Sequence, residues 1–172
     1  MSGFGGDLLA AVCGGGVASR SHSLLHVAEI PARGGEPVGW PDWVHPDLLG
    51  ALAGRGIAAP WSHQVEAADL AHAGRDVVIS TGTASGKSLA YQLPVLDALA
   101  RDPRGRALYL SPTKALGHDQ LRSIAELAGQ TPTLADIVAT SYDGDTSPEI
   151  RRFARERSRW LFSNPDMVHL SL

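Results

Sequence analysis

The sequence has one cysteine, Cys13, in 172 residues. A single thiol excludes an internal disulfide framework and any all-cysteine zinc site, and it makes a cytoplasmic protein the expectation. No apolar run approaches the roughly 18 residues of a membrane span, so no membrane partner is expected. Leu8–Val17 comes nearest to a signal peptide, but three glycines interrupt it and Asp7, not a basic cluster, precedes it. Net positive charge is also lacking. A formal charge of -3 excludes binding to a polyanion by bulk charge and leaves only a local groove open. Lysine is scarce: of 15 basic residues only Lys87 and Lys114 are lysine, and both fall in the motifs below. The seven histidines are scattered without metal-ligand spacing, so side chains alone are expected to form no metal site. What remains, 44% hydrophobic and 19% charged, is ordinary globular usage for one domain with a sizeable core.

Residues 1–23 are rich in Gly, Ala and Ser and read as a poorly ordered lead-in, with a short helix at Asp7–Val12. Residues 24–62 form a Pro/Trp-rich segment. Pro31, Pro37, Pro41 and Pro46 forbid a long helix, and Trp40 and Trp43 are expected to pin an extended chain. Helices are predicted over Pro46–Arg55, stopped by Gly56, and over His63–Ala73, with Ser62 as N-cap and Val65, Ala68 and Ala71 on the apolar face. Asp76–Ser80 reads as a buried strand, and Lys87–Leu99 as a helix burying Leu89, Leu93 and Leu96, with a kink at Pro94. The unit then repeats. Strands are predicted at Ala107–Ser111, Ile137–Ser141 and Trp160–Ser163, and helices at Ala115–Ala128, Pro148–Arg157 and from Asp166 onward. Strands alternating with helices predict an α/β fold, a mainly parallel sheet with helices on its faces.

The strongest chemical signal is Thr81-Gly82-Thr83-Ala84-Ser85-Gly86-Lys87-Ser88, between the Asp76–Ser80 strand and the next helix. Small residues let backbone N–H groups curl around a phosphate, and the helix N-terminus adds orphan donors and the positive end of its dipole. Lys87 would reach the β- and γ-phosphates, and the Ser88 hydroxyl would ligate Mg²⁺. The usual pattern starts with Gly, where this chain has Thr81. The bland alternative is a Gly/Ser turn before a helix with an exposed lysine.

From Ile57 to Leu172 the chain resembles the first motor domain of superfamily 2 DEAD/DEAH-box helicases, whose phosphate loop commonly replaces the first Gly with another small residue. Ser80 to Pro94, ending Leu89-Ala90-Tyr91-Gln92-Leu93-Pro94, resembles motif I. Gly56-Ile57 and Ser62-His63-Gln64 resemble the Q-motif region, which implies that the Gln64 amide reads adenine; the plain alternative is an exposed helix glutamine. Leu108-Tyr109-Leu110-Ser111-Pro112-Thr113-Lys114-Ala115-Leu116 with Asp119-Gln120 resembles motif Ia. Hydroxyls, backbone donors and one cation at a strand's carboxyl end suit a nucleic-acid backbone, although Thr113 and Lys114 also suit a solvated turn. Tyr142-Asp143-Gly144-Asp145-Thr146, Ser163-Asn164-Pro165-Asp166-Met167-Val168-His169, Trp40-Pro41-Asp42-Trp43 and Pro31-Ala32-Arg33 resemble the YprA/MrfA-like branch.

That resemblance implies a RecA-like fold, ATP and Mg²⁺ as cofactors, and an ATP-dependent 3′-to-5′ DNA helicase associated with DNA repair. Lys87 is then the catalytic residue. Gln64, Thr81, Gly82, Thr83, Ala84, Ser85, Gly86, Lys87 and Ser88 are the nucleotide contacts. Ser111, Pro112, Thr113, Lys114, Asn164 and Asp166 are the contacts to single-stranded or forked DNA, and a second motor domain is a partner. Several of these residues have simpler readings as well. Asn-Pro-Asp is a good helix start, Asp143 and Asp145 suit caps of a tight turn, and Arg151, Arg152, Arg155, Arg157 and Arg159 suit a solvated helix face with an Arg152–Glu156 pair.

Hydrolysis needs paired carboxylates at a strand end, and no Asp-Glu pair occurs anywhere in the sequence. The resemblance puts that pair beyond the Asn-Pro segment. It therefore implies an N-terminal fragment in which 63–172 is the first half of the motor domain, its sheet incomplete at the C-terminus and Asp76–Ser80 without a proper neighbour. A small P-loop kinase or other NTPase, and a non-catalytic P-loop interaction module, are the competing readings.

Overall fold

The prolines that exclude helix before residue 46 then start one. Pro46 opens α1 (Pro46–Gly54), where the His45 ring accepts the Asp47 N–H and Gly56 turns the chain out at φ +81°. The structure is a computed structural model, and it describes residues 35–82 and 85–171. The helix expected at Asp7–Val12, the Pro31-Ala32-Arg33 segment, Thr83 and Ala84 lie outside the described residues. From Gly35 onward the described residues belong to one unit.

The extended entry is pinned as expected. Trp40 donates to the Ala58 carbonyl at 3.2 Å, Trp43 donates to Asp69 at 2.7 Å, and the Trp43 ring stacks on His72 at 4.2 Å. Helix α2 (Ser62–His72) starts one residue earlier than predicted. Trp61, not Ser62, takes the cap position, because Gln64 reaches back and its Oε1 accepts the Trp61 N–H at 2.7 Å. Its buried face is Gln64, Ala67 and Ala68; of the predicted Val65, Ala68 and Ala71, Ala68 is buried and the other two are half-buried.

Helix α3 (Lys87–Arg101) runs through Pro94 and buries Leu89, Leu93, Leu96 and Leu99. β1 (Ala107–Leu110) leads into α4 (Lys114–Gly129), then β2 (Ala139–Ser141), α5 (Pro148–Arg157), β3 (Trp160–Ser163) and α6 (Pro165–Ser171). At α5 the Ser147 hydroxyl caps the helix by accepting the Ile150 N–H, and Pro148 takes the first position.

The three strands form a parallel sheet in the order β1-β3-β2, with Leu110 opposite Ser163 and Ser141 opposite Phe162. Central β3 supplies buried Trp160 and Phe162. They join Leu48, Leu52, Leu93, Leu96, Ile124, Leu127 and Leu134 in one core. Each such side chain contributes about 1.5–3 kcal/mol by burial, so this core sets the position of every loop at the carboxyl ends of the strands.

Two sequence expectations fail here. The reading of Asp76–Ser80 as a buried strand fails, whereas the expectation that it lacks a proper neighbour holds: Val78 is 96% exposed, and no described strand bonds to the segment. Its apolar residues predict burial, but burial requires a neighbouring strand, and β1 pairs only with β3. Between the segment and β1 lies a cavity of about 670 Å³, lined by Val77, Ile79, Tyr91, Val95 and Leu108. Arg159 also leaves the solvated face expected for its run. It is buried, donating to the Leu99, Asp102 and Gly105 carbonyls and pairing with Asp136 at 2.6 Å. Arg151 is half-buried and donates to the Asp143 and Gly144 carbonyls, whereas Arg155 stays exposed, donating to the Tyr142 hydroxyl, and Arg152 and Glu156 form the expected exposed pair at 3.4 Å.

Candidate nucleotide and nucleic-acid sites

The glycine before α3 is required twice over. Gly86 has φ +72°, and a Cβ there would lie 2.4 Å from Gln64 Nε2. That space is taken by a hydrogen bond: Gln64 Nε2 donates to the Gly86 carbonyl at 2.8 Å. Next to it, His63 Nε2 donates to the Ser85 carbonyl at 3.0 Å. The amino end of α2 therefore clamps the loop that opens α3. Gln64 is only 4% exposed, so the exposed-glutamine reading fails. Both ends of its amide are engaged by backbone, and the second N–H and second lone pair are what the amide has left for a base.

Within the loop, Lys87 folds back over its own turn. Its ammonium donates to the Thr81 and Gly82 carbonyls at 3.1 and 2.5 Å and lies 3.4 Å from Ser85 Oγ, which pairs with the Thr81 hydroxyl at 2.7 Å. The exposed-lysine alternative misses this closure. Beside the loop is a groove of about 710 Å³ that includes Ile57, Trp61, Gln64, Gly86, Ser88 and Gln120. Small loop residues, a lysine held by weakly competing carbonyls and the unpaired N–H groups of a helix start form a donor set that fits a polyphosphate. The Ser88 hydroxyl at the second helical position fits the magnesium ion that accompanies one.

Tyr91, one turn further along α3, donates its hydroxyl to Gln120 on α4. Burial, with Tyr109 beside it, pushes the Tyr91 phenol well above its ordinary pKa, so it acts only as a neutral donor. Sequence reasoning missed this link between the phosphate-loop helix and α4, since nothing in the spacing of Tyr91 and Gln120 marks them as partners.

The parallel order gathers the second set of residues at the carboxyl ends of the strands. Ser111, Lys114 and Asn164 line one crevice with His118, Ser141 and Asp143. Ser111 is 2% exposed and spends its hydroxyl on the Thr113 carbonyl at 2.8 Å. Its hydroxyl is thus engaged by the chain's own backbone at the floor of the crevice. Pro112, Thr113 and Lys114 are exposed. The Thr113 hydroxyl caps α4 by accepting the Leu116 N–H, and the Asn164 side chain caps α6 by accepting the Met167 N–H at 2.9 Å, as the helix-start reading predicts. Asp166 is exposed in the first turn of α6.

The two aspartates of the 143–146 turn differ. Asp143 is buried and accepts from the Ser141 hydroxyl, the Asp145 N–H and the Thr146 hydroxyl. Burial pushes its pKa up, but those hydrogen bonds and Lys114 outweigh it, and the carboxyl sits below the ordinary carboxylate range. The Asp145 carboxylate instead meets the Lys114 ammonium. Among the described residues no cluster of three or more His, Cys, Asp or Glu is placed to hold a metal ion, and no helix is long and apolar enough to cross a membrane.

Residues 61–172 match the family model for DEAD/DEAH box helicases. ATP-dependent helicase HRQ1 of Saccharomyces cerevisiae is 39% identical over 149 residues, 87% of this chain and 14% of the relative. ATP-dependent helicase YprA of Bacillus subtilis is 40% identical over 152 residues, 88% of this chain and 20% of the relative. The crystal structure of the DUF1998 helicase MrfA bound to DNA and AMPPNP matches with a TM-score of 0.76 and 41% identity, over 81% of this chain and 19% of that one. The chain thus spans a fifth or less of these relatives. A model match over most of its length, a three-stranded parallel sheet with the RecA-like arrangement and a phosphate-type loop opening α3 agree: the chain belongs to the DEAD/DEAH box helicase family.

Proposed function

We propose that this chain is the nucleotide-gripping and strand-gripping front of the first motor domain of an ATP-dependent DNA helicase, with DNA repair as the setting its YprA/MrfA-like motifs imply. The observation that carries the reading is the loop clamp: Gln64 and His63 hold the carbonyls of Gly86 and Ser85 while Lys87 waits on the Thr81 and Gly82 carbonyls. When bound, ATP supplies the phosphoanhydride whose cleavage drives such motors, and Mg²⁺ neutralises its phosphates. The residues of the chain do the holding. The N–H groups at the start of α3 point at the phosphates, Lys87 exchanges two neutral carbonyls for phosphate oxygens, and Ser88 offers its hydroxyl to the metal. The groove beside Ile57, Trp61 and Gln64 takes the base.

Pro112, Thr113 and Lys114, with Asn164 and Asp166 nearby, supply the face for single-stranded or forked DNA. Such contacts go to the backbone, so binding is sequence-tolerant and weakens with salt. MrfA, to which the chain is similar, was solved with DNA and AMPPNP, which supports both choices of ligand.

A fluorescent ATP analogue titrated against the wild type and Lys87→Ala tests the loop. A charge-assisted contact to phosphate contributes about 1.5–3 kcal/mol, so the variant should bind roughly tenfold or more weakly. Equal affinities would overturn the assignment.

A further inference from the structure

Both lysines of the chain rest on oxygen atoms of the chain itself. Lys87 lies on loop carbonyls, which are neutral; Lys114 lies on the carboxylate of Asp145, which is charged. The turn that presents this carboxylate is built without it. Asp143 holds the Asp145 N–H at 2.9 Å and the Thr146 hydroxyl at 3.2 Å, and Arg151 Nη2 donates to the Asp143 and Gly144 carbonyls at 3.0 and 3.2 Å. Asp145 contributes its backbone to that framework. Its side chain is 81% exposed and points out onto Lys114, at the first position of α4 where the helix dipole also favours an anion.

We infer that the Asp145 carboxylate sits where a nucleic-acid phosphate would bind Lys114, so that a strand reaches this lysine by exchanging one anion for another. The inference rests on the strand-binding reading above. It gives Asp145 a role distinct from Asp143, which caps the turn. The pair is open to solvent on both sides, so its strength is that of an exposed ion pair and the exchange is easy. It raises the threshold for a single phosphate a few-fold and is overcome by a polyanion that makes several contacts at once. The same carboxylate holds the Lys114 ammonium above its ordinary pKa, chiefly through their hydrogen bond.

The test is a double-mutant cycle on binding of a labelled oligothymidine, followed by fluorescence anisotropy across a range of salt, in the wild type, Asp145→Asn, Lys114→Ala and the double variant. Asp145→Ser is a second version of the first substitution, and both leave the N–H bonded to Asp143. Asp145→Asn should tighten binding about two- to fivefold, the range of an exposed pair. Its log–log salt slope should steepen by up to about 0.7, one further phosphate neutralised on a single strand. The gain should be at least twofold larger when Lys114 is present than in the Lys114→Ala background. An equal gain in both backgrounds means simple repulsion between Asp145 and DNA and overturns the inference. Weaker binding by both Asp145 variants means the carboxylate positions the lysine, and overturns it too. Absence of binding by all four proteins overturns the strand-binding reading itself, a different failure from binding that ignores Asp145.

Discussion

Gln64 and Gly86, 22 positions apart in sequence, are joined by a 2.8 Å hydrogen bond from a buried side-chain amide to a backbone carbonyl, and the other end of the same amide accepts the Trp61 N–H. The bond fixes where α2 begins and where the phosphate loop closes. A carboxylate of the same shape keeps the second contact and loses the first. Gln64→Glu is therefore expected to destabilise the fold by about 1–3 kcal/mol, because it sets a buried carboxylate against the Gly86 carbonyl, which keeps the Leu89 N–H. It should also weaken binding of the fluorescent ATP analogue. Urea unfolding read alongside the titration checks both; an unchanged midpoint would show that the clamp carries no energy.

Arg159 predicts a larger loss. Its guanidinium serves the carbonyls of Leu99, Asp102 and Gly105 together with Asp136, and so ties the turn after α3 to the start of β3. Arg159→Met preserves volume but leaves those carbonyls without their donor. About 2–4 kcal/mol of stability should be lost, within the range for removing one partner of a buried charged network. Arg152→Met, on the exposed pair of α5, should cost under about 1 kcal/mol. Chemical denaturation of the two variants side by side gives the comparison, and equal effects would contradict the assignment of Arg159 as a buried tie.

Asp143 gives a pH dependence with a definite sign. Its folded pKa is depressed, so the turn contributes stability that is present above the unfolded carboxylate value, about 4, and is lost as pH falls through the lower folded value. Thermal melts from pH 6 downward should show the wild type losing stability below that range, with a shallower loss in Asp143→Asn. Parallel curves for the two proteins would show that Asp143 is not linked to folding.

The unpaired side of β1 leads to a prediction about behaviour in solution. Leu108 and Leu110 are half exposed on it, and Val78 stands almost wholly in solvent across the cavity. The 172-residue chain purified alone is expected to bind a hydrophobic dye, to self-associate in sedimentation runs, and to show no DNA-stimulated phosphate release, since its sequence contains no Asp-Glu pair. Leu108→Lys combined with Leu110→Lys should reduce the association. A chain that stays monomeric and binds no dye, or one with Lys87-dependent turnover, would contradict the expectation.

Local chemistry explains which parts of this arrangement were legible in the sequence. Pro148–Arg157 and Trp160–Ser163 were readable to the residue, because Ser147, Pro148 and a short aromatic run are signals that need no distant partner. The phosphate loop and the Ser-Pro-Thr-Lys corner were readable for the same reason. Asp76–Ser80 was misread because its three apolar residues report a wish for burial and not its fulfilment. Arg159 was hidden among four other arginines, and only the fold could bring its acceptors, more than fifty positions away, within reach. The place of Gln64 was legible as a motif. Its engagement at both ends was not, since hydrogen-bond partners in a turn are set by tertiary closure.

The strand order carries a consequence for how the molecule comes into being. Among the described residues, β1 and β2 pair only with β3, the last of the three to be synthesised. Until Trp160 to Ser163 have left the ribosome, neither earlier strand has a backbone partner, and at roughly 5–20 residues per second that wait lasts several seconds. Sheet assembly is then a single insertion event: β3 slots between two waiting strands, and Arg159 fastens the turn after α3 in the same motion. Chaperone demand should peak just before that insertion, and a ribosome pause placed between Leu110 and Trp160 would lengthen the vulnerable interval, whereas one placed before Ala107 would not.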